Sequence, residues 1–254
     1  MSDVTVSVDD AHVALVEIHR PPANFFDAAL IRAIADAYAT LDADPACRAV
    51  VLCSEGKHFC AGANFGAAAG GNVAEEPRSL YEQALRLFRF QTPVVAAVQG
   101  AAVGGGLGLA LSADFRVATP ESRFSANFSR LGFHHGFGLT ETLPAVAGEQ
   151  TARDLLYTGR RVPGEEALRL GLCDRLAAPD ELRASAHTLA NEIAASGPLA
   201  VRSIRATLHG DLADRVAAAL EREAAEQDRL RETEDFREGV RASLERREPR
   251  FEGR

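Results

Sequence analysis

Two glycine-rich stretches could do chemistry through backbone groups instead of side chains. The stretch AAVGGGLG (residues 101–108) follows a strand-like run, Pro93 to Val98, and leads into a helix of small residues. The stretch GKHFCAGANF (residues 56–65) also follows a strand-like run. Backbone N–H groups in the first turn of a helix lack intrahelical acceptors and lie at the positive end of the helix dipole. One N–H from each stretch could therefore form an oxyanion hole.

Thioester enolates and tetrahedral acyl intermediates are the species that two such donors would serve best. The spacing of the glycines excludes the other common glycine-rich motifs, those that bind nucleotides or carry a serine nucleophile. A dinucleotide fingerprint starting at Gly104 would need Gly or Ala where Leu109 stands. The chain also contains neither a G-x-x-x-x-G-K-[ST] motif nor a G-x-S-x-G nucleophile motif. Close helix–strand packing, without any site, is the alternative explanation of the glycines.

The first half of the chain alternates strands and helices around these stretches. Period-two patterns in VTVSVDD and HVALVEIHR predict a hairpin that turns at Asp9 and Asp10. Asp27 follows a rigid proline-containing loop and is expected to start the helix DAALIRAIADAYATLDAD. The recurring order of strand, strand and helix favours stacked β-β-α units over a plain doubly wound sheet.

The second half of the chain has helical periodicity. Short helices are predicted in TETLPAVAG, EQTARDLLYTG and PGEEALRLG, and longer ones in DELRASAHTLANEIAAS and PLAVRSIRATLHG, with a last strand in LCDRLAA. A long Arg/Glu-rich run to Leu244 carries apolar residues at helical spacing. We expect it to form an amphipathic helix that packs on its own domain or on a neighbouring subunit.

Composition narrows the class of protein. The 254 residues are 46% hydrophobic and 25% charged, as in a globular protein with a sizeable core. A net charge of −8 makes a broad nucleic-acid surface a poor fit. The four scattered cysteines predict buried free thiols, and no signal peptide or membrane span is visible. These features together predict a cytoplasmic protein.

Several segments together resemble the crotonase superfamily, the enoyl-CoA hydratase/isomerase family. They are GKHFCAGANF, QTPVVAAVQGAAVGGGLGLALSADFRVATPESRFS, LGFHHGFGLTETLPAVAG, YTGRRVPGEEALRLGLCDRL and FREGVRASLERREPRFEGR. The resemblance covers nearly the whole chain. It implies an α/β fold, a crotonase-like spiral of β-β-α repeats over residues 1–195. It also implies a helical trimerisation region over residues 196–254.

The resemblance further implies an acyl-CoA ligand and two backbone donors. Position by position, the thioester oxygen would lie between the N–H groups of Ala63 and Gly105. Coenzyme A would lie along four other residues: Ala23, Ala61, Asn64 and Phe65. The resemblance implies trimers, often paired into hexamers, and neither a metal nor a redox cofactor.

The chain departs from the family pattern at two positions. In that pattern each holds a glutamate that takes part in hydration. One glutamate would activate water and the other would exchange a proton with the adjacent carbon. The matching positions hold Gly108 and Phe128. Branches that resemble aromatic acyl-CoA dehalogenases share this glycine and an aromatic residue. They use an aspartate near Gly136 and a histidine near Tyr81, both of which are missing here.

Other residues could supply the acid or base. His135 is the first candidate and His134 the second, because histidine titrates near neutral pH and LGFHHGFG borders the acyl pocket in crotonases. Glu141 is the nearest carboxylate, although it could equally serve as an N-terminal helix charge. Tyr81 is expected in the core. The Glu75–Glu76 pair is expected in a solvated lid.

Three functional hypotheses follow. The first is an enzyme that hydrates a 2-enoyl-CoA or shifts its double bond through an enolate, with His135, Glu141 or bound water moving the proton. The second is another crotonase reaction, namely acyl-CoA hydrolysis, decarboxylation or dehalogenation. The third is a catalytically weak acyl-CoA-binding protein.

Overall fold

A computed structural model describes residues 2–64 and 77–254, and within them the chain forms a mixed α/β fold. A six-stranded sheet has the strand order β1-β2-β3-β4-β6-β9. Its strands are β1 (Val4–Val8), β2 (Val13–Ile18), β3 (Ala49–Ser54), β4 (Val94–Val98), β6 (Phe115–Ala118) and β9 (Arg175–Leu176). The first pair is antiparallel and every other pair is parallel. The predicted hairpin is therefore confirmed.

A second, three-stranded sheet has the order β5-β7-β8. It consists of β5 (Ala101–Val103), β7 (Arg123–Ser125) and β8 (Val162–Pro163). Strand β5 follows β4 after two residues, so the chain leaves the large sheet and enters the small one just before the 104–108 glycines. These glycines therefore lie directly after the first strand of the small sheet.

Three helices occupy the first half of the described chain: α1 (Ala28–Ala43), α2 (Pro77–Arg89) and α3 (Gly105–Leu111). The Asp27 carboxylate caps α1 by accepting a hydrogen bond from the N–H of Leu30. The predicted start of this helix is confirmed. All seven residues of α3 are buried, which their small or aliphatic side chains allow.

The middle of the chain is helical, as predicted. A 3₁₀ turn at Ser129–Leu131 precedes α4 (Leu139–Ala147), α5 (Glu149–Thr158), α6 (Gly164–Leu170) and α7 (Leu182–Ala194). Side chains of β3 alternate between two cores. Val50 and Leu52 face the larger core, which includes α1, whereas Val51 and Cys53 face α7. The large sheet is therefore buried on both faces at β3.

The C-terminal segment holds α8 (Pro198–His209), α9 (Leu212–Arg231) and α10 (Glu234–Glu245). The Arg/Glu-rich run was expected to form one helix, and that expectation is wrong. The run divides at Thr233, whose hydroxyl accepts a hydrogen bond from the N–H of Phe236 and starts a new helix. Such side-chain caps compete with continued helix, because they offer the backbone another partner.

Helix α9 packs on its own chain. Its Val216 and Leu220 join a buried cluster with Tyr81 and Phe88 of α2. All four cysteines are buried free thiols, as predicted. Within residues 2–64 and 77–254, no helix is long and apolar enough to cross a membrane.

Candidate functional site

The two glycine-rich stretches meet backbone to backbone. The N–H of Cys60 donates to the carbonyl of Ala101 (2.9 Å), and the N–H of Val103 donates to the carbonyl of Cys60 (3.1 Å). A Cβ on Gly106 would lie 2.2 Å from the Cys60 carbonyl oxygen. A Cβ on Gly62, whose φ is +89°, would lie 2.8 Å from the Val103 carbonyl oxygen. Glycine at both positions is what allows this approach.

Ala63 and Gly105 lie within these two contacting stretches. Ala63 forms an isolated parallel bridge with Phe26, in which Phe26 donates to the carbonyl of Gly62 (3.1 Å). In this pattern the N–H of Ala63 points away from Phe26. Gly105 opens α3, where N–H groups have no intrahelical acceptor. Over the described part of the chain, no backbone hydrogen bond uses either N–H.

Two phenylalanine rings form the wall beside Gly105. A Cβ on Gly105 would lie 2.2 Å from Cζ of Phe26 and 3.5 Å from Cδ2 of Phe137. The two rings pack edge to face, with centroids 5.6 Å apart, and both are buried. Apolar walls lower the local dielectric, which strengthens the attraction between an N–H dipole and a negative oxygen.

Phe137 also occupies the space beside Gly108. A Cβ on Gly108 would lie 2.6 Å from Cβ and 2.9 Å from Cγ of Phe137. Phe128 is also buried, and its ring packs beside Phe133 with centroids 6.5 Å apart. Both positions are therefore apolar in three dimensions as well as in sequence.

His134 and His135 lie just before Phe137 and are half-buried. Their rings stack with centroids 4.2 Å apart, and Nδ1 of His134 pairs with the carbonyl of His135 at 2.8 Å. Nε2 of His135 lies 2.9 Å from the Thr140 hydroxyl oxygen. Burial, and then the neighbouring His134, lower the pKa of His135 to about 4. His135 is therefore neutral at pH 7.

A buried carboxylate from α9 completes this cluster. Glu223 is fully buried and accepts hydrogen bonds from the N–H of Gly138 (2.9 Å) and the N–H of Thr140 (3.0 Å). The Thr140 hydroxyl lies 2.7 Å from the same carboxylate. Burial raises the pKa of Glu223, while these three hydrogen bonds oppose the rise. The sequence analysis missed Glu223 because 85 residues separate it from Gly138.

The other candidates have partners of their own. The Glu141 carboxylate accepts a hydrogen bond from Nε of Arg215 (3.0 Å) and is 28% exposed. Tyr81 lies in the core, as predicted, and donates to Oε1 of Gln227 (2.9 Å). Nε2 of Gln227 in turn donates to the carbonyl of His134 (3.0 Å). Tyr81 and Gln227 thus hold the loop that carries the two histidines.

Two of the predicted coenzyme A contacts lie side by side. The N–H of Ala61 donates to the carbonyl of Ala23 at 3.0 Å, and Asn64 is exposed a few residues further on. Phe65 and the Glu75–Glu76 pair lie outside the described residues. In the parts of the chain that the structure describes, no three His, Cys, Asp or Glu side chains are grouped to hold a metal ion.

Comparison with known proteins places this chain in a family. The model of the family "Enoyl-CoA hydratase/isomerase" matches residues 9–254. The chain is 34% identical to a crotonyl-CoA hydratase of Syntrophomonas wolfei, over 94% of each chain. It is 31% identical to a short-chain-enoyl-CoA hydratase of Clostridium acetobutylicum, over 94% of this chain and 93% of that one.

A solved structure supports the same assignment. The crystal structure of an enoyl-CoA hydratase/isomerase from Pseudoalteromonas atlantica has a TM-score of 0.89 and 30% identity, over 99% of this chain and 100% of that one. The predicted crotonase-type α/β fold is therefore confirmed. The chain belongs to the enoyl-CoA hydratase/isomerase family of the crotonase superfamily.

Proposed function

We propose that this enzyme binds an acyl-CoA thioester and stabilises its enolate. The thioester oxygen would accept hydrogen bonds from the N–H groups of Ala63 and Gly105. The observation that carries the proposal is the backbone contact between the two glycine stretches. Among the described residues neither N–H has a backbone acceptor, and the rings of Phe26 and Phe137 lie beside Gly105. Fixed donors in an apolar site stabilise developing charge without reorganisation.

His135 is the proposed proton carrier. Its Nδ1 has no hydrogen-bond partner among the described residues, and its low pKa leaves the ring neutral and able to accept a proton. Glu141 is paired with Arg215 and would first have to give up that partner. His134 donates to a backbone carbonyl through Nδ1, so it would have to act through Nε2. His134 and Glu141 are the second and third candidates.

The proposed reaction is a double-bond shift, with hydration of a 2-enoyl-CoA as the related possibility. His135 would take a proton from C2 of a 3-enoyl-CoA, and the C–H electron pair would move onto the thioester oxygen as a dienolate. Return of the proton to C4 would give the 2-enoyl-CoA. This shift needs one base and no water. The packing of Phe137 on Gly108 supports it, because that side of the site is apolar.

The same packing favours a second candidate, a protein that binds acyl-CoA and turns it over weakly or by another crotonase reaction such as hydrolysis, decarboxylation or dehalogenation. Phe137 fills the space beside position 108, where the family pattern has a catalytic glutamate. Under either candidate, Ala23, Ala61, Asn64 and Phe65 would contact coenzyme A, which arrives as part of the substrate.

We also propose a homotrimer, alone or paired into a hexamer, in the cytoplasm. The support for assembly is apolar surface on α8: Leu199 is 83% exposed, Ile204 59% and Leu208 80%. Exposed apolar side chains in such a group mark a protein–protein contact. The buried free thiols support a reducing compartment.

Turnover of a panel of acyl-CoA thioesters tests the proposal. The panel contains 2-enoyl, 3-enoyl and saturated thioesters of several chain lengths, in ²H₂O, with products read by mass spectrometry. We expect 3-enoyl thioesters to give 2-enoyl products, at a rate that falls about 10²-fold or more in His135→Gln. An unchanged rate in that variant would remove His135 as the base. Tight binding without turnover of any thioester would support the second candidate.

A further inference from the structure

The Thr140 hydroxyl lies between His135 and Glu223. Oε1 of Glu223 accepts the N–H of Thr140 at 3.0 Å and is 2.7 Å from the hydroxyl oxygen. Nε2 of His135 lies 2.9 Å from the other side of that oxygen. The direct distance from Nε2 to Oε1 of Glu223 is 3.9 Å, too long for a hydrogen bond. The hydroxyl is therefore the link between the ring and the carboxylate.

A hydroxyl has one proton, so it can donate to only one of these neighbours. The Glu223 carboxylate faces three donors at the start of α4: two N–H groups and this hydroxyl. A helix N-terminus favours a negative group. When the Thr140 proton points to Glu223, the hydroxyl oxygen can only accept from His135. Nε2 must then carry the ring proton, and Nδ1 keeps a free lone pair.

We propose that Glu223, acting through the Thr140 hydroxyl, is a positioning residue that holds His135 in its Nε2–H tautomer with Nδ1 as the proton-accepting atom. This inference rests on the proposed role of His135 only for its catalytic consequence. The tautomer itself follows from the three side chains. A residue of the C-terminal helix α9 thereby determines which ring nitrogen of His135 can accept a proton.

The charge of Glu223 decides the direction of the hydrogen bonds. A protonated Glu223 would donate to Thr140, whose hydroxyl would then donate to Nε2 and leave the ring proton on Nδ1. Burial raises the pKa of Glu223, and the nearby Glu141 carboxylate raises it further. Tyr81 and His134 also lie next to this cluster, with Arg231 beside Tyr81 and Arg215 on Glu141. A fall in pH through the pKa of Glu223 would therefore switch the tautomer.

The test is ¹⁵N NMR of histidine-labelled protein, which reports the protonated ring nitrogen directly. The chain has seven histidines, and loss of one signal set in His135→Gln assigns the residue. Wild type and Thr140→Ser, which keeps the hydroxyl, should show Nε2–H for His135 at pH 7.5. Thr140→Val should lose this preference and lower kcat by about tenfold or more at unchanged KM.

Thr142→Val is the matched control. Thr142 lies on the same helix and its buried hydroxyl donates to the carbonyl of Gly138 at 3.1 Å, with no link to His135. This variant should keep the Nε2–H tautomer. An Nδ1–H tautomer in the wild type, or an Nε2–H tautomer retained in Thr140→Val, would overturn the inference. The expected tautomers combined with full activity in His135→Gln would support the positioning and reject the catalytic role of His135.

Discussion

A Cβ atom on Gly108 would lie 2.6 Å from the Cβ atom of Phe137, so the two positions share a space that holds only one side chain. Phe137 has a φ of +62°, which a phenylalanine rarely adopts, and its ring is buried against Phe26. Phe137 thus adopts an unfavourable backbone conformation. Its side chain fits because position 108 is a glycine. The result is an apolar wall beside Gly108.

This relationship predicts a coupled effect on stability. Gly108→Ala should lower the free energy of unfolding by about 1–3 kcal/mol through overpacking, although alanine is the better helix former. In a Phe137→Gly background the new methyl group has room, and the same change should cost much less. Urea unfolding of the four variants measures the coupling. If Gly108→Ala lowers the free energy of unfolding equally in both backgrounds, Phe137 does not restrict the side chain at position 108.

The α3 N-terminus gives a prediction for catalysis. Gly105→Ala places a methyl group 2.2 Å from Cζ of Phe26, so the ring or the backbone must move. We expect a fall in kcat/KM of about 10²-fold, as for loss of one oxyanion donor. Gly197→Ala is the control, because its Cβ would meet only Ala200 at 3.9 Å. Adding Phe26→Leu should restore part of the loss. Full activity of Gly105→Ala would contradict this account of Gly105.

The low pKa of His135 predicts how stability depends on pH. Its pKa is about 4 in the folded chain, compared with 6.5 for an ordinary histidine, which we take for the unfolded chain. Between these values the unfolded chain binds the proton and the folded chain does not, so acid favours unfolding. Wild type should lose stability relative to His135→Gln as the pH falls from 6.5 towards 4. Glu223 is present in both proteins, so its titration largely cancels. Parallel stability curves would show that His135 titrates normally.

The apolar surface of α8 predicts the assembly state. Ile204→Glu with Leu208→Glu places two charges, one helical turn apart, on the proposed contact. We expect the mass in light scattering to fall from a trimer or hexamer towards one chain. The control is Ala184→Glu with Thr188→Glu on α7, since both positions are exposed and have the same spacing. A wild-type mass of one chain would refute the proposed oligomer.

Local sequence signals predicted much of the fold. Asp27 marked the start of α1, and the period-two strands around Asp9 marked the hairpin, because caps and turns depend on adjacent residues. The site's framework was also predictable, since the two glycine stretches require a close backbone approach. The break at Thr233 was missed, because apolar spacing continues across it.

Long-range packing could not be predicted in this way. Nothing near Gly108 in sequence indicates that Phe137 fills the adjacent space, and nothing near His135 indicates Glu223. Both contacts join segments that meet only after the sheets and helices have assembled. A polarity pattern reports which face of a helix is buried, and Glu223 lies on the buried face of an otherwise charged run. Three hydrogen-bond donors at the start of α4 compensate for its burial.

The vibrational frequency of a bound thioester carbonyl reports directly whether Ala63 and Gly105 donate to its oxygen. An unreactive acyl-CoA, labelled with ¹³C at the carbonyl, is bound to wild type, Gly105→Ala and Gly197→Ala, and isotope-edited infrared difference spectra are recorded. If Ala63 and Gly105 both donate to the oxygen, the C=O stretch lies below its value in water for wild type and Gly197→Ala. It should return towards the free value in Gly105→Ala. A wild-type frequency equal to that of the free thioester would show that the oxygen accepts no hydrogen bond from Ala63 or Gly105.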